Sequence, residues 1–423
     1  MKRAGRAPIL APCLSPNNGA GTPAIPQETY AMETITAPDA SAGAQSDWLA
    51  LAASLGRIFD ERAPAIDARD AFVSANYDDL KAQRFLAAAV PQEFGGAGLS
   101  HQELGQVLRE LGKYCGSTAL AFAMHTHPVA TAAWRWRNQK APVEGLLKRV
   151  GGEQIVLLGS GGSDWLQGSG TATRVDGGFR IDAHKVFASG APVADLFMTS
   201  AVHDDPQAGP TVLHFPLPMK TPGVRIVPTW RAMGMRGTGS HDVVLENVLV
   251  PDSSIAARRP QGVWHPMMHT VAMIALPLIY AVYVGIAEAA RDIALRLAKQ
   301  RRLSPHVVEL AGRIGNEWDV ARLALDDMFA AAAGQAPGAV TTNRIMCGRA
   351  LAARAVLATA DLAMELAGGA GFYRDAGLER RFRDAQGARF HPLQAGAQHE
   401  YAGRMALGLD IDAPPGDVRA AAQ

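Results

Sequence analysis

The hydrophobic period of this chain changes twice, and that limits what it can fold into. Residues 47–150 place apolar side chains at three and four spacing, as in SLGRIFDERAPAIDA and ELGQVLRELGKYCGSTALAFAMHTHPVATAAW, the pattern of helices with a buried face. Between 154 and 257 the texture turns to short β-branched runs (VLL, FRI, FMTSAV, TVLHF, GVRIVPTW, VVLENVLVP) separated by Gly, Asp, Asn and Pro, which reads as strands. Asp176-Gly177-Gly178 supplies a hairpin turn, since glycine accepts positive φ without a Cβ clash. From residue 266 the helical period returns and runs to about 409, broken at 302–306, 334–340 and 368–375, enough for about four helices of a bundle. The expected architecture is α+β: an N-terminal helical domain over 46–152, a middle β-sandwich or barrel domain over 153–262, and a C-terminal four-helix bundle over 263–411. A disordered extension over 1–45 and a tail over 412–423 complete it.

Composition narrows the partners. Hydrophobic residues at 48% and charged residues at 19% supply large cores, and a net charge of +1 without a Lys/Arg block argues against nucleic acid. Cys13, Cys115 and Cys347 are odd in number and widely spaced, which points to free thiols, a reducing compartment such as the cytoplasm, and no metal site. Residues 1–45 hold no acid before Glu28 and no apolar period, and Met32 is an alternative start with residues 1–31 as an upstream extension. Residues 267–287, MMHTVAMIALPLIYAVYVGIA, are long enough to span a bilayer. His269, Pro277 and the missing basic flank favour instead a bundle helix buried on all sides, with no membrane partner.

Three segments carry a family resemblance. Gly368-Gly369-Ala370-Gly371-Phe372, then Glu379-Arg380, then Arg383-Asp384-Ala385, resemble the C-terminal signature of the acyl-CoA dehydrogenase superfamily of flavoproteins. VPQEFGGAGLS (90–100) is similar to the segment that opens that family's N-terminal domain, and MGMRGTGSHD (233–242) with VLVP (248–251) to its second β-domain hallmark. The resemblance covers about residues 50–410 and implies FAD, a small-molecule substrate and a homotetramer or homodimer. After Arg301 the chain reads RLSP where the family has Gln-Phe-Gly, which keeps FMN as the alternative cofactor.

Residue by residue, the resemblance assigns Gly162 and Ser163 to a loop that wraps the flavin, and Phe187 and Ser189 to the strand facing its ring system. Strand alternation would put Phe187 and Ser189 on one side; read alone Phe187 is more often a core residue, and the family spacing turns that reading toward the flavin. Arg236 and Ser240 become cofactor or substrate contacts. Arg301 would reach a flavin diphosphate across a subunit interface, where Gly368 and Gly369 meet the same cofactor. His125 and His127 suggest metal at first sight but lack a third ligand, so His125 is either pocket-facing or a satisfied core histidine.

The reaction is where the chain departs from the family. Dehydrogenases of the superfamily remove an α-proton with a glutamate, and counting from Asp384 its position is held by Pro392. The alternative position is Ala275, no acid lies within 263–286, and Glu400 is about two helical turns past Pro392. His391 resembles instead the histidine of the superfamily's flavin monooxygenases, which take reduced flavin and O₂ and oxygenate a phenol, amine or thioether. Such a histidine can accept a substrate proton or donate a hydrogen bond, and a helix-end histidine steadied by the dipole is the plainer reading. The resemblance therefore implies a two-component-type monooxygenase with His391 as its catalytic residue, served by a flavin reductase or electron-transfer partner. An FAD-dependent acyl-CoA dehydrogenase and a non-catalytic flavin-fold assembly protein are the alternatives.

Overall fold

Local signals start the helices where the periodicity places them. In the computed structural model, which describes residues 47–160, 162–413 and 416–417, the Asp47 carboxylate accepts the Ala50 N–H and opens α1 (Trp48–Ala68). Helix α2 (Ser74–Ala82) follows; α3 (His101–Tyr114) begins with a capping box in which Ser100 and Glu103 bond each other's backbone amides. α4 (Gly116–Gln139) and α5 (Glu144–Glu153) complete the first group. The expected extension over 1–45 and the Met32 start lie outside the described residues.

Eight strands come next: β1 (Leu157–Gly159), β2 (Thr171–Val175), β3 (Gly178–Ala188), β4 (Leu196–Asp205), β5 (Gly209–Pro218), β6 (Val224–Val227), β7 (His241–Pro251) and β8 (Ala257–Pro260). They pair in the order β6-β7-β3-β2-β4-β5-β8, with β1 parallel to β4. β2 is joined to β4 through one pair, Thr171 with Val202, so the sheet has two halves. Both contribute to one apolar core, Phe179, Ile181 and Val248 from one and Phe197, Leu213 and Phe215 from the other. The Asp176-Gly177 turn forms as read, with Val175 opposite Gly178 and φ at Gly177 of 73°.

The last group contains three long helices, α6 (Pro266–Ala298), α7 (Pro305–Gly334) and α8 (Ala339–Ala367), packed on one another. Short α9 (Gly369–Phe372) and α10 (Leu378–Ala385) precede α11 (Ala395–Leu407). The fourth bundle helix is thus split into α10 and α11, and the break between them holds His391. The apolar stretch from 267 lies within α6, where the most apolar window is 94% buried. α3 packs against α6 almost backbone to backbone: a Cβ on Gly285 would lie 2.0 Å from the Arg109 carbonyl, and one on Gly112 2.5 Å from that of Val282. Helices from both ends of the chain therefore share one core, and α6 is held rigidly at its middle.

Candidate flavin and catalytic site

Two tyrosines three residues apart on α6 lie one above the other, because i and i+3 share a helix face. Tyr280 and Tyr283 are both fully buried in an otherwise apolar helix, so each phenol needs a partner. Tyr280 donates to the Ala388 carbonyl (2.7 Å), and the Tyr283 oxygen lies 2.8 Å from Nε2 of His391. Arg349 arrives from α8, 3% exposed, with its guanidinium 5.4 Å above the Tyr280 ring. Its Nη2 donates to the His391 carbonyl (2.7 Å) and lies 3.4 Å from that of Ala388, so the guanidinium grips the break that carries His391. Among the described residues Arg349 bonds to carbonyl oxygens and to no carboxylate, and its Nε is buried without an acceptor. Burial, the Arg349 charge and His127 of α4 together push His391 down to about 3, so it is neutral at physiological pH. Burial raises the Tyr283 phenol well above its ordinary value, which keeps its proton on.

His391 sits beside the loop expected to wrap a flavin. A Cβ on Gly162 would lie 3.0 Å from Cδ of Pro392, so the glycine lets the two loops meet. The loop after Gly162 is pinned to the sheet: buried Lys185 donates to Asp164 (2.6 Å) and to the Ser169 carbonyl (2.8 Å), and Arg259 donates to the Trp165 carbonyl (3.0 Å). The Ser163 side chain lies outside the described residues.

Phe187 and Ser189 are arranged differently from the alternation argument. The ladder between β3 and β7 slips between Lys185 and Ala188, and Phe187 takes a left-handed φ of 57°. That bulge turns the Phe187 ring out, 56% exposed and edge-on to Trp230 at 5.8 Å, which rules out the core reading. Ser189 falls beyond the strand, in the turn, its hydroxyl 2.8 Å from that of Ser240. An exposed ring on a strained turn, a hydroxyl behind it and a glycine-lined loop fit a flat heteroaromatic group such as flavin.

Three expected contacts are corrected. His125 is 1% exposed and uses both ring nitrogens, Nε2 toward the Leu86 carbonyl (2.9 Å) and Nδ1 accepting the Leu157 N–H (3.0 Å), so it ties α4 to β1 and faces no pocket. Residues two apart point to different sides of a helix, and it is His127 that is close enough to His391 to influence it. Arg236 is engaged within the protein instead, paired with Asp70 (3.5 Å) and Asp67 (4.0 Å) and bonded to the Ala232 carbonyl. Ser240 is 3% exposed, its hydroxyl held between those of Thr238 (2.6 Å) and Ser189, which makes it a support for Ser189.

Arg301 and Gly368 do meet, within one chain. Arg301 donates to the Leu366 carbonyl, and a Cβ on Gly368 would lie 2.9 Å from its Nη1. Gly369 beside them faces open space. At 1.5 Å per residue, the end of α6 at Ala298 is roughly 22 Å from Tyr283. This second group is therefore remote from His391 in the same subunit. Among the described residues no cluster of three or more His, Cys, Asp or Glu is placed to hold a metal ion.

The fold and this arrangement match one family along most of the chain: the acyl-CoA dehydrogenase N-terminal domain at residues 48–141, its middle domain at 159–248 and its C-terminal domain at 278–394. The chain belongs to the acyl-CoA dehydrogenase superfamily. Among curated relatives it is 28% identical to the amino sugar nitrososynthase DnmZ of Streptomyces peucetius, over 78% of this chain and 86% of that one. It is 27% identical to a pigment production hydroxylase of a Rhodococcus species, over 84% and 95%. Among solved structures, KijD3 in complex with FMN and dTDP-3-amino-2,3,6-trideoxy-4-keto-3-methyl-D-glucose superposes with a TM-score of 0.80 at 23% identity, covering 88% of this chain and 96% of that one.

Proposed function

We propose that this protein is a flavin-dependent monooxygenase that oxygenates a small nucleophilic substrate, with His391 as its catalytic residue. The observation that carries this reading is at 391–392: the place of the dehydrogenase glutamate is held by Pro392, packed on Gly162, while His391 is neutral and hydrogen-bonded beside the same loop. Among the described residues no Asp or Glu bonds to His391, Tyr280, Tyr283 or Arg349. Asp384, whose charge Tyr283 feels, is buried and accepts the Met235 N–H at 2.5 Å. Among the described residues none of these contacts offers a carboxylate to remove an α-proton.

Bound reduced flavin, FMN or FAD, supplies the electrons and the position at which O₂ reacts. Phe187 would support the ring system from the sheet side, Ser189 would offer it a hydroxyl, and Gly162 would let backbone amides approach it. Arg301, Gly368 and Gly369 lie too far along the bundle to serve the His391 of their own chain, which supports a homo-oligomer in which they complete a neighbour's site. The amino sugar nitrososynthase relative and the nucleotide-sugar complex of KijD3 make amino sugars carried on a nucleotide the first substrates to try, with a separate flavin reductase as electron source.

Rapid mixing of protein carrying reduced flavin with oxygenated buffer tests the reading. A long-lived transient before the oxidised flavin spectrum returns is expected. A single-phase return, together with anaerobic bleaching of the oxidised flavin by an acyl-CoA, would overturn it. His391→Ala is expected to lower substrate oxygenation by about 10²-fold or more while flavin affinity is retained.

A further inference from the structure

The tautomer of a buried histidine can be read from its neighbours. At His125 the backbone decides: the Leu157 N–H points at Nδ1, so that nitrogen is bare and Nε2–H donates to the Leu86 carbonyl. At His391 the neighbour is a phenol. The Tyr283 oxygen lies 2.8 Å from Nε2, Tyr283 is fully buried, and among the described residues no other acceptor is within hydrogen-bond distance of its hydroxyl. A phenol that accepted from Nε2–H would leave its own proton unbonded in a buried site, whereas a neutral imidazole nitrogen is a good acceptor. Tyr283 therefore donates to Nε2, and the ring proton of His391 must sit on Nδ1.

We propose that Tyr283 and Arg349 are positioning residues that hold His391 as its neutral Nδ1–H tautomer, so that it presents a hydrogen-bond donor, and no proton acceptor, to an oxygen atom bound beside Gly162. Tyr283 sets the tautomer. Arg349 fixes the ring's approach by binding the His391 carbonyl, and its charge, unmatched by any carboxylate among the described residues, disfavours a second proton on the imidazole. The other ionisable groups around the ring act in the same sense or are silent. His127 of α4 also disfavours the cation, Tyr280 of α6 is spent on Ala388, and Asp384 of α10, bonded to the Met235 N–H, acts on the Tyr283 phenol, whose proton it helps to retain.

This deepens the monooxygenase reading and rests on it only for the identity of the bound oxygen. It decides between the two roles open to a histidine at this place, base or donor. A phenol, which must lose its O–H proton to become a nucleophile, would find no acceptor at His391. A neutral amine or a thioether attacks with a lone pair it already has, so the site is built for those classes.

The test is ¹⁵N nuclear magnetic resonance of the full-length protein, as purified, labelled at histidine and assigned with His391→Gln. Wild-type His391 should show a bare, hydrogen-bonded Nε2 and a protonated Nδ1 at neutral pH. An Nε2–H tautomer there would overturn the proposal without any variant being needed. In Tyr283→Phe the preference should move toward Nε2–H, the form free histidine favours in water, by roughly tenfold in the tautomer ratio, equivalent to about 1.4 kcal/mol. An unchanged ratio would count against Tyr283 as the cause. Because the signal does not depend on turnover, an Nδ1–H result in a protein that fails to oxygenate anything would reject the functional reading and leave the tautomer assignment standing.

Discussion

Arginines are buried in two neighbouring parts of this molecule and treated in opposite ways. On α10, Arg380 and Arg381 both reach Asp60 (2.9 Å), and Arg383 is bidentate to Asp67, with one contact of 2.7 Å, and bonded to Glu379 (2.6 Å). Every guanidinium there meets a carboxylate, three of the four pairings cross to α1, and the result clamps the C-terminal helices onto the N-terminal ones. Arg349, a few residues from the same segment in space, meets carbonyl oxygens only. A matched charge holds two elements together. An unmatched one costs solvation free energy and sets the electrostatic conditions of whatever lies beside it, which here is His391.

The comparison can be broken most forcefully at the clamp. Arg383→Ala leaves Asp67 and Glu379 half-buried without their partner and should lower unfolding free energy by about 3 kcal/mol in urea titrations. A loss under 1 kcal/mol would mean that the clamp is ornamental. A middle-sized effect belongs to pH. Burial lowers His125 and His127 to about 4 and His391 to about 3, so the unfolded chain takes up these protons first as pH falls below its ordinary histidine value. Their contribution to stability is complete above about pH 6.5 and is lost downward through the folded pKa values, with a slope of at most about 1.4 kcal/mol per pH unit for each histidine. Denaturant midpoints measured between neutral and mildly acidic pH should fall accordingly, and a flat profile would contradict the burial of these rings. The smallest stability change is expected at Arg349→Met. Removing an unmatched buried charge offsets the lost loop hydrogen bonds, leaving stability within about 1 kcal/mol while the pKa of His391, followed by its ring resonances, moves up.

Much of this is legible in the sequence. The two changes of period located the helices and strands, the Asp176-Gly177 turn was readable from its glycine, and the apolar stretch of α6 was recognisable as a bundle core. Counting from Asp384 singled out His391 as the candidate residue. What the residues alone did not disclose was facing. His125 and His127 look equivalent in sequence, yet two residues of helix put one in the core and the other toward His391. Alternation failed at Phe187 because a bulge inserts a residue without a sequence mark that separates it from regular strand. Tyr283 and Arg349 are harder to see for a different reason: in sequence each merges with the helix around it. The signal for the first was available, since Tyr280 and Tyr283 are the only phenols in an apolar run and share a face.

The contact between Pro392 and Gly162 has a bearing on descent. No single base change turns a proline codon into a glutamate codon, and the residues reachable in one step include no acid. A glutamate restored at 392 would also meet a loop that leaves no more room than a glycine needs, since a Cβ on Gly162 would already lie 3.0 Å from Cδ of Pro392. A return to a carboxylate at 392 would therefore take at least two base changes and a loop that makes room for the longer side chain.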